Sequence, residues 1–163
     1  MQATFAAGLK EYDAGNFAAA YRTWRDIEDV DLAALRNVAV MLRKGEGVEK
    51  DPKLAASKME RAAEAGLVTA QADFADMLLS GEARPRNVAA ALPWLGRAAA
   101  AGHPLAAFQL GQLYEAGDGV PKNLEAARKL YEQAAAAGLD EAVKALKTLP
   151  PPPQAGTAAQ TSH

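Results

Sequence analysis

Apolar residues recur along the chain at spacings of three and four, in short blocks that end at glycine. Ala106, Leu110, Leu113 and Tyr114 stand at i, i+4, i+7 and i+8, the spacing that lines one face of a helix. Ala34, Val38, Met41 and Leu42, and then Ala70, Phe74, Met77 and Leu78, repeat that arrangement earlier in the chain. Gly45, Gly81 and Gly117 follow these blocks directly, where a helix closing in the left-handed region favours glycine. A short loop then leads to Asp51, Asn87 or Asn123, each placed to cap a second helix, with Pro52 in a tolerated first-turn position. The second helix runs to Gly66, Gly102 or Gly138. The pattern therefore predicts pairs of helices and no strands.

The pairs are copies of one another. Gly45, Gly81 and Gly117 lie 36 residues apart, as do Gly66, Gly102 and Gly138, and so do Lys50, Arg86 and Lys122. Ala55, Ala91 and Ala127 keep the register, together with Ala62-Ala63, Ala98-Ala99 and Ala134-Ala135. Full units cover about 31–66, 67–102 and 103–138, and an earlier unit with a shortened loop fits 3–30 through Tyr12, Gly15 and Trp24. Residues 139–148 read as a helix covering the end of the stack, because a single pair cannot bury its own apolar face. Residues 1–149 thus form one repeat domain. From Pro150 the composition turns to proline and small polar residues, predicting a disordered tail over 150–163.

Composition narrows the function. Alanine dominates and aromatic residues make up 6%, which suits helices packed at close range. Lys plus Arg is 18 against 20 for Asp plus Glu, spread evenly, so no basic patch marks a nucleic-acid surface. With no cysteine there is no disulfide, thiolate zinc site or cysteine nucleophile. No apolar run is long enough for a membrane span, and no signal-peptide pattern is present. The helical pattern starts almost at once after Met1, as in a mature exported protein whose signal was replaced by a start codon. The expectation is a periplasmic protein, with a cytoplasmic one as the alternative.

The stretch Ala106-x3-Leu110-Gly111-x2-Tyr114-x2-Gly117-x-Gly119-Val120, continuing to Ala127-x6-Ala134-Ala135-x2-Gly138, closely resembles the Sel1-like repeat, a relative of the tetratricopeptide repeat. The second unit carries Gly45-Glu46-Gly47-Val48, whereas Ala83 and Arg84 stand for the Gly and Val in the third. The first unit looks more like a plain tetratricopeptide unit. The resemblance implies an all-α, right-handed solenoid of about four helix pairs plus a capping helix. It further implies a bacterial adaptor or scaffold that binds other proteins through tandem repeats, in a family whose members are usually not enzymes and are often exported.

The chemistry-bearing residues agree with that expectation. The histidines are His103, between a helix-closing glycine and Pro104 and so read as a turn residue, and His163 in the tail. No nucleophile-elbow, zinc-helix or phosphate-loop motif is present, and Gly117-Asp118-Gly119 recurs as Gly45-Glu46-Gly47, which marks it as a structural turn. Asp73 and Asp76 share a helix at i, i+3, but a solvated helix face explains them as well as an ion does. No cofactor is expected.

Stepping residues at 100° around the first helices puts Asn37, Val40 and Lys44 opposite the packed arc, with Arg36 and Arg43 at its edge. The equivalents are Asp73, Asp76 and Ser80, then Gln109 and Gln112, with Phe108 near the edge, where packing between repeats is the favoured role. This surface passes from basic through acidic to amide-bearing. It is the expected docking groove for another protein or a peptide segment, on the concave side that solenoid curvature creates. The alternative is a regulatory binder of a cell-wall fragment or other small ligand in the same groove. A monomer is expected.

Overall fold

The computed structural model describes residues 2–152, and the predicted tail beyond Pro152, with His163, lies outside the described residues. Four helix pairs follow one another: α1 (Gln2–Asp13) with α2 (Phe17–Arg25), α3 (Leu32–Lys44) with α4 (Pro52–Glu64), α5 (Val68–Ser80) with α6 (Val88–Ala100), and α7 (Pro104–Ala116) with α8 (Leu124–Ala136). A single helix, α9 (Asp140–Thr148), completes the stack. Each helix packs chiefly on its neighbours in sequence, so the chain is an all-α repeat solenoid in which each unit leans on the next.

The sequence signals fix the helix ends. Gly45, Gly81 and Gly117 close the first helices at φ 78°, 74° and 73°, a region that side chains rarely enter. The Asp51, Asn87 and Asn123 carboxyl or amide oxygens accept from the backbone N–H three residues on, at 2.9–3.0 Å. Their own N–H groups donate back to Leu42, Leu78 and Tyr114, tying each loop shut. At the other end, the N–H groups of Leu67, His103 and Leu139 reach the carbonyls of Ala62, Ala98 and Ala134, a bond five residues back that closes the second helix. His103 proves to be more than a turn residue. Its Nδ1 accepts from the Ala106 N–H at 3.3 Å and caps α7.

How closely the two helices of a pair approach depends on one small residue. Gly111 of α7 faces Tyr131 of α8, and a Cβ built there would lie 2.6 Å from Tyr131 Cε1. The repeat-equivalent couples are Ala39 with Met59 and Ala75 with Leu95, all with no more than a trace of exposure. Glycine stands opposite the aromatic ring and alanine opposite the aliphatic chains, so the summed volume stays nearly level. The first pair makes the same trade, with Gly8 against Trp24. Interiors packed this densely do not absorb an extra methyl without moving something.

At the equivalent position α9 carries an exposed lysine, Lys147. Leu149, equivalent to Leu113, is still buried. Pro150–Pro152 instead run beside α8, where the Arg128 guanidinium donates to the Pro150 carbonyl. A proline also stands inside α6: Pro93 is exposed and removes one ladder bond on the solvent side.

Gly111→Ala is predicted to destabilise the fold by about 1–3 kcal/mol despite the better helix propensity of alanine. Adding Tyr131→Leu, which recreates the Ala75–Leu95 couple, recovers at least half of that loss in a double-mutant cycle read by chemical denaturation. Independent, additive losses would refute the pairing of these positions.

Candidate functional site

The first helices α3, α5 and α7 lie side by side, and the residues expected to line their shared face meet there. Arg36 Nε donates to Asp73 Oδ2 at 2.6 Å, bridging α3 to α5. Arg43 is held by two carboxylates, Asp76 at 2.7 Å and Glu82 at 2.6 Å, and Gln109 Nε2 of α7 donates to the other oxygen of Asp76 at 3.0 Å. The basic, acidic and amide-bearing residues therefore form a ladder across the face, each rung joining one repeat to the next. Asp73 and Asp76 each serve an arginine, so the shared ion weighed from their spacing has no role here. Among the described residues no group of three or more His, Asp or Glu side chains is placed to hold a metal.

The remaining predicted positions divide. Gln112 and Ser80 are exposed on the same face, though the Ser80 hydroxyl already donates to the Met77 carbonyl. Phe108 packs beside Tyr131, with ring centroids 5.4 Å apart. Asn37, Val40 and Lys44 look the other way along the face, toward α1. There, with Arg36, they border a cavity of about 270 Å³ whose remaining lining is Leu9, Tyr12, Trp24 and Met41. Leu9 remains 41% exposed and Trp24 only 2%, which makes one the wall and the other the floor. The Tyr12 hydroxyl donates to Glu46 at 2.7 Å, and its ring sits 5.0 Å from Phe17 and 5.7 Å from Trp24, so the aromatic floor is fixed in place. That bond, and burial behind it, push the Tyr12 hydroxyl above its ordinary pKa.

Two parts of the site were not read from the sequence. Tyr12, Leu9 and Trp24 come from the first pair, whose shortened loop breaks the 36-residue register. Glu82 is the second partner of Arg43, and it belongs to a pattern: Glu46, Glu82 and Asp118 each directly follow a helix-ending glycine. Each accepts from the preceding repeat, from Tyr12, Arg43 and Arg86 in turn. An acidic residue one step past the glycine in the loops of the three full units was the available signal. Arg43 shows what this clamp does electrostatically, its two carboxylates holding its pKa far above the ordinary guanidinium value.

His103 lies behind the Arg36–Asp73 rung. Burial lowers its pKa, with Arg36 acting in the same direction and Asp73 opposing. A lowered folded-state pKa means that the unfolded chain takes up the proton first, near its ordinary value of about 6.5. Stability from the neutral cap is thus complete above pH ~6.5, declines as pH falls through that value, and levels off below the folded pKa. Denaturation curves at stepped pH should show this decline, and His103→Asn, which offers an amide oxygen as cap in place of Nδ1 and does not titrate, should flatten it. An unchanged slope in the variant would remove His103 as the cause.

Comparison with known proteins gives a consistent result. The Sel1 repeat matches residues 32–67, 68–103 and 104–139. No curated protein matches the sequence. Among solved structures, a Sel1 repeat protein from Oxalobacter formigenes is 29% identical with a TM-score of 0.83, over 87% of this chain and 58% of its own. A protective antigen of uropathogenic Escherichia coli strains, displaying an SLR fold, is 27% identical with a TM-score of 0.81, over 88% of this chain and 32% of its own. The chain thus spans less than two thirds of either. Cysteine-rich protein B of Helicobacter pylori, 18% identical over 77% of this chain and 96% of its own, shares the fold at a TM-score of 0.62.

Proposed function

From a chain that belongs to the Sel1 repeat family, we propose a non-catalytic adaptor or regulator that docks a segment of another protein along the face of α1, α3, α5 and α7. Proteins of this repeat family are typically protein–protein interaction scaffolds. The observation that carries the reading is the concentration of polar side chains from successive repeats on one continuous face, beside an aromatic-floored cavity. The ladder holds that face rigid, so a partner meets preformed donors and acceptors and loses little entropy in ordering them. Exposed ion pairs of this kind contribute about 1 kcal/mol or less each to stability. Their larger consequence is a fixed charge pattern that sets register and excludes mismatched partners.

The same reading places the protein in the periplasm, supported by the export habit of the family. Among the described residues no helix is long and apolar enough to cross a membrane. A cavity of about 270 Å³ lies just under the ~300–1,000 Å³ usual for small-molecule sites, and it suits one side chain of a docked protein segment.

The test is crosslinked capture from separate periplasmic and cytoplasmic fractions of the source cell, with two baits. One is the wild-type protein, and the other carries Arg36→Asp with Asp73→Arg, which keeps the rung but reverses its sense. A partner enriched from the periplasm by the first bait should fall at least about fivefold with the second, at unchanged melting temperature. Equal capture by both folded baits would move the docking site off this face.

A further inference from the structure

The gaps between neighbouring first helices are not equivalent. Between α3 and α5 the space is closed by Arg36–Asp73 and by Arg43 with its two carboxylates, and between α5 and α7 by Gln109–Asp76. Between α1 and α3, among the described residues, no ion pair forms; Tyr12 and Glu46 bond at the loop end, and the aromatic-floored cavity remains. We infer that this cavity is the anchor point of the docking face, taking one bulky aliphatic side chain of the partner, flanked by an acidic residue that pairs with Lys44. The inference rests on the docking face proposed above and names its ligand chemistry.

Size and charge argue for this occupant. About 270 Å³ is room for a single large side chain, and Leu9, Tyr12 and Val40 offer it apolar surface above the buried Trp24. Pockets that a partner side chain fills, bordered by polar groups, are where a few residues supply most of an interface's energy. Of the three cations that α3 contributes to this face, Arg36 and Arg43 are each held by a carboxylate at 2.6 Å. Lys44 is different. Its ammonium is 3.6 Å from Glu46, whose other oxygen is occupied by Tyr12, and its side chain is 53% exposed. Glu46 therefore leaves Lys44 only loosely held. A carboxylate approaching beside the pocket gains a charge-assisted bond without breaking a rung, whereas a cation there gains nothing.

The two tryptophans make this measurable. Trp24 Nε1–H, on the pocket floor, donates to the Phe5 carbonyl, while Trp94 lies in α6 against Phe74. The probe is the peptide acetyl-Gly-Asp-Leu-Asp-Gly-amide, titrated to millimolar concentration into the ¹⁵N-labelled full chain. The expected result is a saturating shift of the Trp24 indole signal with Trp94 unmoved. Replacing the peptide's leucine with alanine should weaken binding about tenfold or more, and replacing both of its aspartates with lysine should abolish it. Lys44→Glu in the protein, an exposed change that leaves the fold intact, should weaken the acidic peptide and admit the lysine one. Shifts along α5 and α7 with Trp24 silent would overturn the pocket while supporting the face. No shift anywhere would overturn the pocket and leave the face to the paired-bait capture. Equal binding of the lysine peptide would overturn the acidic flank.

Discussion

The separation of the two helices in each pair is the constraint on which the remaining structure depends. It is set where Gly111 meets Tyr131, where Gly8 meets Trp24, and at the couples Ala39–Met59 and Ala75–Leu95. A nearly constant volume at this contact in the three full units keeps those pairs alike, although the residues differ. Matching pairs put the first helices in parallel at one spacing, and that spacing is what lets Arg36 reach Asp73 and Gln109 reach Asp76. A solenoid's stability sums over units and the contacts between neighbours, so one oversized residue at this position disturbs both terms. Lys147 in α9 shows the converse. The small residue is absent from the one helix that has no pair partner among the described residues.

Contacts between repeats are built from two separate devices. Apolar packing joins each second helix to the next first helix, while polar bonds join the loops and first helices across the groove and also reach the second helices, as from Lys58 to Glu28 and from Gln133 to the Ala99 carbonyl. The acidic residue after each helix-ending glycine belongs to the second device, and it draws on whatever donor the preceding repeat offers, a tyrosine hydroxyl or a guanidinium. Close backbone approach supports it. A Cβ on Gly47 would lie 2.3 Å from the Phe17 carbonyl carbon, and one on Gly119 would lie 2.4 Å from Val88 Cγ1. The third loop has Ala83 instead, and its neighbour Glu82 lacks the backbone bond that Glu46 and Asp118 make to Met41 and Leu113. That loop follows a different course because alanine does not enter the left-handed region as readily.

The fold was legible in the sequence because glycine, asparagine and aspartate mark helix ends through local backbone chemistry, and local chemistry is what a single sequence records. The helix pairs and most caps followed from it. The candidate face was legible only as a set of positions. Angular placement found Arg36, Asp73, Asp76 and Gln109, but not that they satisfy one another, because such pairing depends on how far one repeat advances on the next. Val40 was placed opposite the core and is half-buried, since α1 covers it from a unit whose register differs. His103 had the spacing of a cap, but histidine is an uncommon capping residue. Pro93 gave no warning of lying inside a helix, because its tolerance depends on facing solvent.

The central claim is that partners meet the first-helix face and not the outer helices. The chain has no cysteine, so single-cysteine variants carrying a photo-crosslinker report one position each. Ser80→Cys places the label on the exposed edge of the inner face, and Ser57→Cys places it on the exposed side of α4. With the protein partner captured by the wild-type chain, the account predicts a covalent adduct from position 80 and none from position 57. An adduct from position 57 alone would contradict it.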